Sequence, residues 1–103
     1  MKGDITMEKI YFTVTGTCHY FGTEFAEPGM RVHLVKDPDN EYDSEAIKVE
    51  MEGLGKVGFV ANSPYTVLGE SWSAGRMYDK IGETAEGTIM YVLSNSLLCN
   101  LNE

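Results

Sequence analysis

The chain has 103 residues, 43% of them hydrophobic, and sixteen acidic against eight basic side chains give a net charge of −8. This length fits one domain, placed at residues 1–103, and the hydrophobic content excludes an intrinsically disordered chain. The negative charge disfavours a general nucleic-acid binder, because such proteins gain much of their affinity from basic side chains that neutralise phosphates.

The first half of the chain shows the alternating pattern of half-buried strands. Residues 9–15 place Ile10, Phe12 and Val14 on one face, which predicts a first strand. Residues 17–27 lie between glycines and predict an exposed, irregular stretch. A second strand is predicted at 30–35, a third around 47–51, and a glycine-rich hairpin at 52–55 leads into a fourth at 56–60.

The second half begins with a helix signal. Asn62-Ser63-Pro64 offers a capping side chain followed by a proline suited to a first turn. Tyr65, Leu68 and Trp72 have helical spacing, so we expect them to pack into the core. A second short helical piece is predicted within 75–81. Strands at 84–93 and 97–101, joined by a turn at 94–96, complete a mainly β fold of about six strands with one or two short helices, either a small barrel or a strongly curved sheet.

The loop between the second and third strands is the most informative segment. Residues 37–46 concentrate turn-forming Asp, Pro and Asn and run directly into a strand, so Asn40, Tyr42 and Asp43 are expected close together. An amide, an aromatic ring and a carboxylate suit a small binding site. The alternatives are structural: Asn40 and Asp43 could cap the turn through backbone N–H groups, and Tyr42 could belong to the core.

This segment resembles the HIRAN domain family. The matching residues are Asp37, Pro38, Asn40, Tyr42, Asp43, Ala46, Ile47 and Val49, followed by Val57 and Gly58 in a glycine-bearing strand. Residues 14–22 resemble the family's first strand and the aromatic segment after it. The similarity spans about residues 10–93. HIRAN domains occur in Swi/Snf-type DNA translocases that act at stalled replication forks, and alone in bacterial proteins.

The resemblance implies an OB-like β-barrel that binds the free 3′ end of single-stranded DNA in a repair or replication-fork context. Tyr42 would stack on the terminal base, with His19 where the family can place another aromatic. Asp43 would accept a hydrogen bond from the 3′-hydroxyl, and Asn40 and Tyr20 would contact the sugar-phosphate or the base edge. Tyr91 lies near a late-strand aromatic that the family uses for stacking, in a looser alignment.

The chain departs from DNA-binding family members at three positions. Those members carry arginine where this chain has Cys18, and lysines where it has Ala61 and Asn62. With the net charge, these losses motivate an alternative: an acidic protein-interaction module that has the same fold, has lost DNA binding and contacts a helicase, a nuclease or another protein. A third hypothesis is a nucleic-acid mimic whose acids occupy a partner's DNA channel.

Catalytic and cofactor chemistry finds little support. The acidic loop lacks the glycine and the final glutamate of a calcium-binding loop, and the cysteines and histidines lack zinc-ligand spacing. We therefore expect neither metal nor cofactor, and a binding module rather than an enzyme. Without a membrane-length apolar run or a signal-peptide pattern, we expect a cytoplasmic protein with no membrane partner, in which Cys18 and Cys99 are free thiols.

Overall fold

The computed structural model describes residues 9–102. Six strands within this range form a closed antiparallel barrel in the order β1-β4-β3-β2-β5-β6, with β6 pairing back onto β1. They are β1 (Tyr11–Thr15), β2 (Arg31–Lys36), β3 (Ile47–Met51), β4 (Gly55–Val60), β5 (Thr84–Val92) and β6 (Leu97–Leu101). A 3₁₀ turn, Thr17–His19, follows β1, and a short helix, α1 (Ala74–Tyr78), lies between β4 and β5. The predicted mainly β, OB-like barrel is confirmed.

The barrel interior is filled by the alternating apolar residues of the strands. β3 shows the period most clearly, because Ile47, Val49 and Met51 are buried while Lys48 and Glu50 between them are partly exposed. The fully buried core side chains come from every strand, including Phe12, Val14, Val32, Leu34, Ile47, Val49, Val57, Ile89, Leu97 and Cys99. Period-2 patterning therefore sets which face of each strand points inward.

The prediction of a helix that begins at Asn62-Ser63-Pro64 is wrong. Residues 62–73 form a series of turns that crosses the outside of the barrel, and Tyr65, expected in the core, is 95% exposed. Leu68 is also exposed, whereas Trp72 packs partly buried against the core.

Tertiary hydrogen bonds explain this outcome. The Leu68 N–H donates to the Thr13 hydroxyl at 3.1 Å, and the Trp72 N–H donates to the Tyr11 carbonyl at 2.7 Å. These bonds hold the segment against β1, while its own hydrogen bonds, such as that from the Val67 N–H to the Ser63 carbonyl at 2.9 Å, close separate turns and not a continuous helix. The segment also buries Thr13, which alternation had placed opposite the core face. Gly69 turns the chain with a φ of +52°.

The second predicted helical piece is confirmed as α1. Ser73 caps this helix, because its hydroxyl accepts a hydrogen bond from the Arg76 N–H at 3.2 Å. Ala74 and Met77 face the core. No helix within the described part of the chain is long and apolar enough to cross a membrane.

Candidate functional site

The loop between β2 and β3 is held in shape by its own side chains. The Asn40 side-chain oxygen accepts hydrogen bonds from the N–H groups of Tyr42 at 2.9 Å and Asp43 at 3.2 Å. Its amide nitrogen donates to the Asp37 carboxylate at 3.2 Å. Asn40 thus folds the loop, as the structural alternative proposed, and one of its two amide hydrogens stays available to a ligand.

Asp43 is fixed by two donors from different parts of the chain. One carboxylate oxygen accepts from the Glu45 N–H at 2.9 Å, and the other accepts from the Asn62 side-chain amide at 2.7 Å. Asn62 also accepts from the Gly75 N–H at 2.8 Å and so joins the loop to α1. Because an ionised carboxylate has about four acceptor positions, Asp43 can still accept from a ligand while being held in one orientation.

A cleft of about 540 Å³ opens between this loop and the barrel. This volume is in the range of small-ligand sites. Its lining residues come from the segment after β1, the β2–β3 loop, β4 and the segment after β4: Tyr20, Asn40, Tyr42, Asp43, Ala46, Lys56, Phe59, Val60, Asn62, Ser63 and Thr66.

The aromatic rings of the cleft are accessible. Tyr42 is 92% exposed, which excludes the alternative that it belongs to the core, and Tyr20 is 39% exposed. Rings this open present faces on which a planar group can stack.

Lys56 supplies the positive charge of the cleft. Its ammonium lies 5.5 Å from the ring centroid of Tyr20 and 5.0 Å from that of Phe59. Cation–π attraction at these distances holds the ammonium between the two rings. The cleft therefore contains one cation and one carboxylate, Lys56 and Asp43, among its lining residues.

Sequence reasoning missed Lys56 and Phe59 because a β-bulge changes the alternation of β4. Val49 pairs with Gly58 while the next residue, Glu50, pairs with Lys56, so Val57 is an extra residue in β4. Val57 and Gly58 are consequently both buried, and Lys56 and Phe59 share the outer face. Strict alternation would have placed them on opposite faces.

Four of the six predicted site residues line the cleft, namely Tyr20, Asn40, Tyr42 and Asp43. His19 is exposed on the 3₁₀ turn beside Tyr20, but it is not among the lining residues. Tyr91 lies on β5, is 61% exposed and also falls outside the lining. β5 is separated from β4 by two strands on either side of the barrel.

The three departures from the DNA-binding pattern have different structural settings. Cys18 is an exposed free thiol. Ala61 is fully buried, so its side chain offers no surface to a ligand. Asn62 lines the cleft and holds Asp43, and its role is therefore positional.

Carboxylates concentrate beside the cleft around the ring of Tyr78. Partial burial together with the nearby Glu83, Glu45, Asp37 and Asp39 carboxylates raises the pKa of the Tyr78 phenol. Lys36 lies over the same ring, 4.4 Å from its centroid. Within residues 9–102, no three His, Cys, Asp or Glu side chains are grouped so that they could hold a metal ion.

Comparisons with known proteins agree with this architecture. The family model of the HIRAN domain matches residues 7–102. Among solved structures, the crystal structure of the HIRAN domain of human HLTF superposes with a TM-score of 0.66 at 22% identity, covering 90% of this chain and 72% of that chain. Comparison with curated protein sequences gives no significant match. Because the family model covers nearly the whole chain, this protein belongs to the HIRAN domain family.

Proposed function

We propose that this protein binds the 3′ end of single-stranded DNA, with a free 3′-hydroxyl, in the cleft beside the β2–β3 loop. HIRAN domains are nucleic-acid-binding modules and not themselves catalytic. The observation that carries the proposal is the pairing of an open aromatic ring, Tyr42, with a carboxylate held in place by two donors, Asp43.

The chemistry of the cleft suits a nucleotide end. Stacking of a base on an aromatic ring contributes ~1–3 kcal/mol and needs no particular sequence, since every base has a π-face. The spare acceptor positions of Asp43 take a hydrogen bond from a hydroxyl but repel a phosphate in the same position. Lys56, between Tyr20 and Phe59, provides a partner for a backbone phosphate.

The test is fluorescence anisotropy at low salt with short single-stranded DNA ending in either a 3′-hydroxyl or a 3′-phosphate. Binding is expected to be tighter for the hydroxyl end, and Asp43→Asn should reduce the difference between the two ends. Tyr42→Ala should weaken binding at least fivefold, as expected for the loss of ~1 kcal/mol or more of stacking.

Tyr65→Ala is the matched control, because Tyr65 is 95% exposed, close to the 92% of Tyr42, and does not line the cleft. His19→Ala and Tyr91→Ala test the two candidates outside the lining. Equal affinities for the two ends in the wild type would refute recognition of the 3′-hydroxyl. Equal losses in the Tyr42 and Tyr65 variants would refute stacking in the cleft.

A second candidate function is an acidic protein-interaction module with the same fold. The observation that favours it is a group of four carboxylates near the Tyr78 ring, those of Glu83, Glu45, Asp37 and Asp39. An affinity pull-down would compare the wild type with an Asp39→Asn/Glu83→Gln variant. A helicase, nuclease or other protein retained by the wild type alone would support this function, whereas no retained protein together with clear oligonucleotide binding would rule it out.

A further inference from the structure

A second groove, of about 460 Å³, continues from the cleft towards α1. The two share Asn62 and Ser63, so a ligand in the cleft can pass over these residues without crossing the barrel. The remaining residues that line this α1 groove are Pro64, Val67, Gly69, Ser71, Ser73 and Arg76.

The α1 groove differs in charge from the rest of this acidic protein. The chain carries sixteen acidic residues, yet no carboxylate of the described residues lines the groove. Its one ionised side chain is Arg76, and serine hydroxyls supply further hydrogen-bonding groups. An anion leaving the cleft would meet a cation and no carboxylate among the residues that line this path, which favours its binding there.

Arg76 is held ready for an anion. Its guanidinium lies 3.9 Å from the ring centroid of Trp72, so the planar group is stacked and its edge donors remain free. The ion pairs found among residues 9–102 do not include Arg76. A stacked guanidinium without a carboxylate partner is well suited to a phosphate, to which it can donate two parallel hydrogen bonds.

Resting on the proposed function, we propose that the α1 groove binds the backbone of the same DNA strand, with Arg76 on a phosphodiester one or two nucleotides before the 3′ end. The ligand is then an oligonucleotide of at least two or three nucleotides, not a mononucleotide. Asn62 marks the boundary between the site for the terminal nucleotide and the site for the backbone.

The experiment is a double-mutant cycle that combines Arg76→Gln with DNA in which one of the last two linkages is a neutral methylphosphonate. Each change alone should weaken binding about threefold to fivefold, typical of an exposed ion pair. The two together should cost no more than one of them. Arg76→Gln should also make the slope of log affinity against log salt less steep by about 0.7, the value for one phosphate contact on a single strand.

Lys80→Gln is the control, because it removes the same charge as Arg76→Gln. Lys80 is exposed just beyond α1 and lines neither the cleft nor the groove. The control variant should leave the salt slope unchanged, and Arg76→Lys should restore the slope lost in Arg76→Gln. Trp72 is the chain's one tryptophan, so its fluorescence should change with trinucleotide but not with mononucleotide. Thermal unfolding of each variant checks that the fold is kept.

The outcomes separate this inference from the proposed function. Failure of the wild type to bind any oligonucleotide would overturn both. Binding that discriminates the 3′-hydroxyl, with additive effects of Arg76→Gln and the neutral linkage, would overturn the Arg76 contact and leave the cleft as the end-binding site. Equal losses of affinity in Arg76→Gln and Lys80→Gln would show that Arg76 acts only through the net charge of the protein, and would overturn the inference.

Discussion

Asn62 connects three segments of the chain at one end of the cleft. It follows β4, donates to Asp43 in the β2–β3 loop and accepts from the N–H of Gly75 in α1. A lysine at this position would have no acceptor for the Gly75 N–H. The amide of Asn62, which both donates and accepts, therefore orients the Asp43 carboxylate.

Asn62→Asp tests that role with almost no change in shape. The new carboxylate would face Asp43 across a contact that is now 2.7 Å, and the repulsion should lower the free energy of unfolding by about 1 kcal/mol at pH 7. Protonation of either acid removes the repulsion, so the deficit should shrink as pH falls towards about 4. Urea unfolding of the variant and the wild type at several pH values measures this difference in unfolding free energy. A deficit independent of pH would show that the Asn62–Asp43 hydrogen bond does not hold the carboxylate.

The two cysteines should differ sharply in reactivity. Burial raises the pKa of the Cys99 thiol to about 12, whereas Cys18 is exposed. Since the thiolate is the reactive form, iodoacetamide at pH 8.5 should modify Cys18 and spare Cys99 in the folded protein. Mass spectrometry of tryptic peptides measures this, with the urea-unfolded protein as the control in which both react. Equal labelling of the folded protein would contradict the burial of Cys99.

The same pKa gives a pH dependence of stability. The folded pKa of Cys99 lies above its ordinary value of 9.0, so the folded state binds this proton more tightly than the unfolded state does. The stabilisation is complete below about pH 9 and is lost as pH rises towards 12. Cys99→Ala should flatten that part of the stability curve.

At the scale of elements, β4 approaches β1 so closely that Gly58 has no room for a side chain. A Cβ there would lie 2.6 Å from the Thr15 carbonyl oxygen and 2.8 Å from a methyl carbon of Val14. The carbonyl oxygen cannot move without shifting β1, and the Val14 side chain is fully buried, so Gly58→Ala should destabilise the fold by about 1–3 kcal/mol. Chemical denaturation measures this loss.

Gly82→Ala is the matched control for that substitution. A Cβ at Gly82 would meet only the Thr84 carbonyl oxygen within 4 Å, at 3.9 Å, so the variant should unfold within about 0.5 kcal/mol of the wild type. Equal stability of the Gly58 and Gly82 variants would contradict the close approach of β4 and β1.

The candidate site was partly predictable because its parts lie at different distances along the chain. Asn40, Tyr42 and Asp43 are neighbours in one loop, so their proximity follows from local turn chemistry. Lys56 and Phe59 join them through the bulge at Val57, which depends on pairing with β3. Asn62 enters because residues 62–73 bond to β1 instead of forming a helix. Gly58 and Gly69 are compatible with the bulge and with the broken helix, but neither glycine indicates which side chains reach the cleft.

At the scale of the whole molecule, the net charge of −8 should limit the electrostatic share of binding. Lys56 and Arg76 are the cations that line the cleft and the α1 groove in the described part of the chain. Two phosphate contacts on a single strand predict a slope of log affinity against log salt of roughly −1.4. Anisotropy titrations between low and moderate salt measure it. A slope steeper than about −3 would require a broader basic interface than these two residues provide.

The sequence by itself determined the strands and the central loop, because both depend on short-range rules, but it left a closed barrel and a strongly curved sheet as alternatives. Pairing of β6 with β1, between distant parts of the chain, closes the barrel. Alternation assigns the inner face of each strand, and Asp, Pro and Asn set the turn that carries Tyr42 and Asp43. Tertiary structure alone decided which other residues meet that loop. Hydrogen bonds donated by the Leu68 and Trp72 N–H groups to the Thr13 hydroxyl and the Tyr11 carbonyl hold residues 62–73 against β1. The β4 bulge turns Lys56 and Phe59 to the same face. The contacts of residues 62–73 with β1 join residues far apart in sequence, and the bulge depends on how β4 pairs with β3, so local propensity alone does not place these side chains.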